Sequence, residues 1–324
     1  MPTIVIHGTA HSYDLTPQGR SLPVLVFIHG WLLSRCYWQP LIDQLIPEFC
    51  CLSYDLRGFG ASGAATQPPR SQGGKTGVQP WVKSRSPASG IQPRTIAPLG
   101  FRTIARTIAA TEDPPPDYSP QAYSQDLLAL LDHLNIGRAW LVGHSLGGEV
   151  ALWSAATQPD RIQGVTCLGV GGGIYLREEF ERFRHLGRQL LQWRSPWLEY
   201  VPGIDRFFAR ANVYQPLETV WGQRRLGDFL AADEAAALGT LLGLTAEAEV
   251  HRLPQLVAQL SQPAYFLGGR EDTIMEPQYV CHLASFHPLF KHCGCNFLEL
   301  PHCGHLAMLE QTTLVANQLR QMLQ

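Results

Sequence analysis

Hydrophobic positions fall into short, almost unbroken runs separated by stretches with helical spacing. Residues 22–29 read LPVLVFIH, almost continuously apolar and rich in β-branched side chains, the pattern of a strand buried on both faces. Apolar spacing predicts a helix over 38–46, and a second buried strand follows at 50–56. Ser119 followed by Pro120 reads as an N-cap and first helical position, predicting a helix to about residue 134. Residues 139–142 form a third strand-like run, 149–157 a helix and 164–170 a fourth strand. Much later come runs at 264–267 and 297–300, then a C-terminal helix from about Gln311. Strands alternating with helices predict an α/β fold, a mostly parallel, doubly wound sheet with helices on both faces.

Two stretches break this rhythm. Residues 64–117 are dense in Pro, Gly, Ser, Thr and Arg and carry an imperfect repeat of Arg-Thr-Ile-Ala beginning at Arg94, Arg102 and Arg106. Between residues 64 and 111 there are seven Lys/Arg and no Asp/Glu. Such a composition buries too little surface to offset its ordering entropy, so this insertion is expected to be disordered or loosely packed. A basic arm for an anionic partner is the alternative. Residues 175–260 are helix-like and aromatic, with Trp193, Trp197, Tyr200, Phe207, Phe208, Tyr214 and Trp221, and Pro196, Pro202 and Gly203 break them into short pieces. A helical insert between two sheet strands reads as a cap. The expected organisation is a core of 1–174 and 261–324, a basic insertion at 64–117 and a helical cap at 175–260.

Composition narrows the class. A hydrophobic fraction of 45% in 324 residues supplies a sizeable core, and the low charged fraction of 16% leans toward apolar substrates or partners. The net charge of −2 gives no electrostatic case for nucleic acid. No apolar run approaches the roughly 20 residues of a membrane span, and the first residues do not read as a signal peptide. A cytoplasmic chain without a transmembrane segment is expected, with peripheral membrane contact left open. Of eight cysteines, Cys50, Cys51 and Cys167 sit in strand-like runs and read as small core residues rather than disulfide partners.

Candidate chemistry centres on Gly143-His144-Ser145-Leu146-Gly147, followed by Gly148. A buried strand ends before it and a helix begins within it, the context that the nucleophile-elbow pattern G-x-S-x-G requires. Glycines flank the serine because the turn is crowded, and the helix start offers unpaired N–H groups beside it. His29-Gly30-Trp31 ends the first buried strand. There the N–H of Trp31 can join that of Leu146 as an oxyanion hole, with the Trp31 indole lining the pocket.

Together with these, Asp55-Leu56-Arg57-Gly58-Phe59-Gly60-Ala61-Ser62, Gly269-Arg270-Glu271-Asp272 and Gly304-His305 make the chain resemble the α/β-hydrolase superfamily, in its cap-containing, serine-nucleophile, esterase/lipase-like branch. The order nucleophile, acid, histidine is that family's. The resemblance implies Ser145 as nucleophile, His305 as base and Asp272 as the acid that orients it. His302 and His292 compete with His305, and Glu271 with Asp272. Gln311-Thr312-Thr313 stands after Glu310 where the family often has a proline.

The implied activity is hydrolysis of a carboxylic ester or similar acyl bond of a lipophilic small molecule, with no cofactor. His144, Trp193 and Trp197 are the candidate substrate-binding side chains. An acyltransferase, a cofactor-free peroxide or C–C-bond enzyme, and a non-catalytic binder of an apolar ligand remain alternatives, since one fold hosts many chemistries. His282, His287, His292, Cys293, Cys295, His302 and Cys303 cluster in sequence, but their spacing is not that of a zinc knuckle, and no metal is expected.

Overall fold

The computed structural model describes residues 2–17, 23–62, 117–171, 177–294 and 296–324. The basic insertion expected at 64–117 lies outside the described residues except for Asp117. The elements run β1 (Thr3–Ile6), β2 (Thr9–Leu15), β3 (Val24–Ile28), α1 (Gln39–Leu45), β4 (Cys51–Tyr54), α2 (Pro120–His133), β5 (Ala139–His144), α3 (Leu146–Thr157) and β6 (Ile162–Leu168). Then come α4 (Arg177–Gln192), α5 (Ile204–Arg210), α6 (Thr219–Ala231), α7 (Glu234–Leu244) and α8 (Glu247–Gln259). The chain returns to the sheet with β7 (Ala264–Gly269), α9 (Pro277–Ala284), α10 (Pro288–Cys293) and β8 (Phe297–Leu300), and ends with α11 (Ala307–Glu310) and α12 (Thr312–Met322).

The strands form one eight-stranded sheet in the order β1-β2-β4-β3-β5-β6-β7-β8. It is parallel from β4 to β8 and antiparallel at β1/β2 and β2/β4. Every residue of β3, β4 and β5 is buried, which is why these strands read as continuous apolar runs. Alternate residues serve opposite layers. Val24, Val26 and Ile28 pack in the core with Leu127 and Leu131 of α2 and Val150 of α3. Leu25 and Phe27 pack instead with Trp38, Leu41 of α1 and Val315 and Leu319 of α12. Ser119 caps α2 as its sequence predicts, accepting the Ala122 N–H at 3.2 Å with Pro120 at the first helical position.

The β1–β2 hairpin, whose first strand is the short run Thr-Ile-Val-Ile, adds an antiparallel edge to the predicted sheet. It is closed by His7 and Gly8, both at positive φ (48° and 77°), the backbone of a tight hairpin turn. Between β6 and β7 the described chain is helical, from α4 to α8. Cys50, Cys51 and Cys167 are buried. Among the described residues no helix is long and apolar enough to cross a membrane.

Candidate active site

The sheet's central strand ends in a strained turn. Ser145 follows β5 with φ 50° and ψ −120°, a region that side-chain-bearing residues rarely occupy, and α3 begins at the next residue. The strain is held by its surroundings: the Ser145 N–H donates to the Leu168 carbonyl at 2.9 Å, and the Ser145 carbonyl accepts the Gly148 N–H at 2.8 Å. Packing explains the glycines. A Cβ on Gly143 would meet the Gly147 carbonyl oxygen at 2.2 Å, and one on Gly147 would meet the Ile28 carbonyl oxygen at 2.1 Å.

His305 and Asp272 arrive from two loops on one side of this turn. Asp272 lies beyond β7, buried; its Oδ1 accepts the N–H groups of Ile274 (2.8 Å) and Met275 (3.0 Å), and its Oδ2 takes His305 Nδ1 at 2.7 Å. The Nδ1–H of His305 is thereby committed to the carboxylate, leaving Nε2 as its other functional nitrogen. The imidazole sits over Gly169, at the end of the strand next to β5: a Cβ there would lie 3.2 Å from His305 Nδ1 and 3.5 Å from Asp272 Oδ2. Among the described hydrogen bonds none joins Ser145 Oγ to His305, a contact that often forms only with substrate in place.

The competing residues have other work. Glu271 Oε2 accepts the Cys303 N–H at 2.9 Å, tying the acid loop to the histidine loop. His302 packs its ring against Tyr214, centroids 5.3 Å apart, and His292 lies exposed on α10. His287 caps α10 through Nδ1 and binds the Gln262 carbonyl through Nε2. Among the described residues no group of three or more His, Cys, Asp or Glu is arranged to hold a metal ion. Cys295 lies outside the described residues.

The His29-Gly30-Trp31 turn stands beside the elbow. His29 Nε2 accepts the Leu56 N–H at 2.9 Å, so its proton is on Nδ1, which donates to the Gly30 carbonyl at 2.8 Å. Leu33 N–H donates to the same carbonyl at 3.3 Å. A trans peptide directs its C=O and N–H to opposite sides, so fixing the Gly30 carbonyl also fixes the direction of the Trp31 N–H. None of the described hydrogen bonds uses the N–H of Trp31 or of Leu146. The Trp31 indole, expected to line a pocket, donates to the Ala237 carbonyl of α7 at 2.9 Å and so pins the helical insert to this turn.

The three side chains expected to bind substrate are placed differently. His144 is 1% exposed. Its Nε2 lies 2.8 Å from the His305 carbonyl and its ring edge-on to that of His305, so it supports the histidine loop from below. Burial, reinforced by His305 nearby, holds the His144 imidazole well below the usual histidine range. Trp193 and Trp197 stand on the outer surface, 72% and 60% exposed, and none of their described contacts reaches Ser145, Asp272 or His305. The length and aromatic character of this insert suggested a pocket lining, but α4 docks through Arg184, which binds Thr245 and the Leu242 carbonyl, and Gly187, which faces Leu241. That docking turns Trp193 outward.

Supports that the residue pattern did not single out come from the insert and from α11. The Asn212 carbonyl accepts the His305 N–H at 2.9 Å. Glu310 accepts three N–H groups, from Gly304 (2.9 Å), Leu306 (3.0 Å) and Tyr214 (2.7 Å). Its carboxylate therefore joins both neighbours of His305 to the insert. Burial pushes the Glu310 carboxyl up, and the three amide donors counter that. The sequence signal for it is the family resemblance, which places a glutamate here, five residues after His305, without giving it this role.

Residues 25–318 match the family model described as the alpha/beta hydrolase family. The chain belongs to that family. It is 26% identical to a 3-oxoadipate enol-lactonase of Acinetobacter baylyi over 95% of this chain and 91% of that protein. It is 25% identical to a pimeloyl-(acyl-carrier protein) methyl ester esterase of Stenotrophomonas maltophilia over 95% of this chain and 94% of that one. The enol-lactonase from Burkholderia xenovorans superposes with a TM-score of 0.68 at 19% identity, covering 99% of both chains, and shows a shared fold. A thermophilic esterase from Thermogutta terrifontis does so with a TM-score of 0.65 at 22% identity, covering 99% of this chain and 97% of its own.

Proposed function

We propose that this alpha/beta hydrolase is a serine esterase acting on a carboxylic ester or lactone. The observation that carries the reading is the 2.7 Å pair of His305 Nδ1 and buried Asp272 Oδ2 beside a strained serine elbow. Ser145 Oγ attacks the acyl carbon as His305 Nε2 takes its proton, and Asp272 holds the ring in the tautomer that makes this work. The N–H groups of Trp31 and Leu146 receive the developing oxyanion, the first aimed by the His29 hold on the Gly30 carbonyl. His305 then protonates the leaving oxygen, and water, deprotonated by His305, releases the acid and restores Ser145. The helical insert acts as a cap, held to the core through Trp31 and Asn212. Relatives named as an enol-lactonase and a methyl ester esterase favour an acyl–oxygen bond as the one cleaved.

The test is turnover of p-nitrophenyl esters of increasing chain length beside Ser145→Ala, with a fluorophosphonate probe on both. Loss of about 10⁴–10⁶ in rate, together with loss of covalent labelling in the variant, is expected. Wild-type protein that neither hydrolyses any ester nor takes the probe would reject the reading and return the fold to a binding role. Labelling without hydrolysis would assign Ser145 to transfer to an acceptor other than water.

A further inference from the structure

Along β5 and α3, from residue 139 to 155, every residue is buried except two, Ser145 and Glu149. They are four positions apart, and the Glu149 N–H donates to the Ser145 carbonyl at 3.4 Å, so Glu149 stands one helical turn past the nucleophile on the same face of α3. A helical side chain leans toward the N-terminal end of its helix, which carries the Glu149 carboxyl back toward Ser145. That carboxyl lies deep in the protein, yet the residue stays partly open to water. A group both deep and wetted lines a recess rather than a packed core.

No side chain in this region answers its charge. The Glu149 carboxyl has neither a hydrogen bond nor an ion pair among the described residues. Trp153, a turn further along α3, gives its indole N–H to Glu249 of α8 instead. Arg252 lies over the Trp153 ring, 5.7 Å from its centroid, and acts on Glu249. Glu249 is a second negative charge near Glu149. Burial first, and Glu249 second, push the Glu149 carboxyl well above the usual carboxylate range. A deep acid without a partner costs stability, and such departures concentrate where a protein binds something. A cation set against the carboxyl would answer both effects, and the chain supplies none there.

We infer that Glu149 selects, at the Ser145 site, esters that carry a positively charged amine a short chain away from the attacked carbonyl. The inference rests on the esterase reading only for the bond that is cleaved; the amine preference rests on the α3 face. One turn of helix, about 5.4 Å, separates the two positions, a span that about four to six chain bonds bridge.

The test separates binding from reaction. Methyl 6-aminohexanoate, methyl heptanoate and monomethyl pimelate are of similar length and end in a positive, a neutral and a negative group. Their binding to Ser145→Ala is read by calorimetry, and their hydrolysis by the wild type as acid release. Affinity is expected to fall in that order, with the amine at least about tenfold ahead of the neutral ester, the range of a hydrogen bond to a charged group. Ser145→Ala/Glu149→Gln is expected to bind the amine and the neutral ester within about threefold of each other, and Ser145→Ala/Glu149→Leu to prefer methyl heptanoate. Neither substitution at Glu149 removes a side-chain hydrogen bond of the fold, so melting temperatures at or above that of Ser145→Ala are expected. Equal affinity for the three esters in Ser145→Ala, binding of none of them, or an amine preference that survives Glu149→Gln overturns the inference. Binding in the expected order without hydrolysis by the wild type upholds the amine preference and rejects the esterase reading; hydrolysis without the amine preference does the reverse.

Discussion

Asp228 offers a direct measure of how the helical insert is held to the core. It lies on α6, 7% exposed, and its Oδ2 accepts the Ser34 hydroxyl at 2.8 Å. Ser34 sits just beyond the His29-Gly30-Trp31 turn, so this contact links the insert to that region. Burial pushes the Asp228 carboxyl up from an ordinary 3.8 to about 6, against the lowering effect of the Ser34 hydroxyl and of Arg224. Since the folded chain binds this proton more tightly than the unfolded one, the group's favourable contribution is fully present below about pH 4 and is lost as pH rises through about 6. The shift corresponds to about 3 kcal/mol. Asp228→Asn keeps an acceptor for Ser34 and cannot ionise, but its amide hydrogens need partners, which costs roughly 1 kcal/mol. The variant should therefore be more stable than wild type by about 2 kcal/mol above pH 7 and slightly less stable below pH 4. Urea unfolding across that range reads the difference as a midpoint shift of roughly 0.6 M at the alkaline end. A difference that does not change with pH, or a wild type more stable than the variant above pH 7, would refute the reasoning.

Asp272→Asn should lower kcat on an ester by about 10⁴ with the fold intact, whereas Glu271→Gln should leave kcat within about tenfold; equal effects of the two would contradict the assignment of the acid. Gly147→Ala puts a Cβ 2.1 Å from the Ile28 carbonyl oxygen, so a loss of about 3 kcal/mol or more is expected, and an unchanged melting temperature would show that the elbow can give way. Glu310→Ala strips an acceptor from three amides on two segments; kcat should fall by at least about tenfold with Glu310→Gln retaining part of it, and kcat at the wild-type level in the alanine variant would deny the carboxylate its hold on the His305 loop.

Where the residue pattern alone specified structure, a local constraint stood behind it. The parallel sheet was legible because strands buried on both faces have nowhere to put a polar side chain. The Ser145 turn was legible because its glycines are forced, by backbone oxygens closer than any Cβ tolerates. Asp272 and His305 needed the family resemblance, since Glu271 is the same kind of acid one position away and His302 the same base three positions earlier. Only the fold shows Glu271 spent on the Cys303 amide and His302 packed at a tilt against Tyr214. The β1–β2 hairpin was hidden because β1 is only four residues long and β2 mixes polar with apolar positions, with Ile6 the main side chain they give to the core. The outward placement of Trp193 and Trp197 was hidden for a related reason. Aromatic character says that a side chain favours leaving water, but its direction depends on which face of α4 meets α7, and that is a tertiary fact.

Three imidazoles crowd the proposed site, and the structure gives each a different task. His29 is buried with both nitrogens used, one accepting the Leu56 N–H and the other donating to the Gly30 carbonyl. Burial lowers its proton affinity below the ordinary histidine range, which suits a ring whose accepting nitrogen must stay free of a proton. His144 is likewise held neutral, by burial first and by His305 second; its Nε2–H is spent on the His305 carbonyl. His305 is the one of the three with a carboxylate behind it. A proton taken by His29 would go to Nε2 and set it against the Leu56 N–H, two donors facing each other. A proton taken by His144 would bring a like charge against the ring of His305, 4.7 Å away. Keeping these two neutral suits the proton transfers proposed for His305, and the sheet achieves it by burying them at the ends of β3 and β5, while His305 on the loop after β8 has the Asp272 carboxylate as its partner.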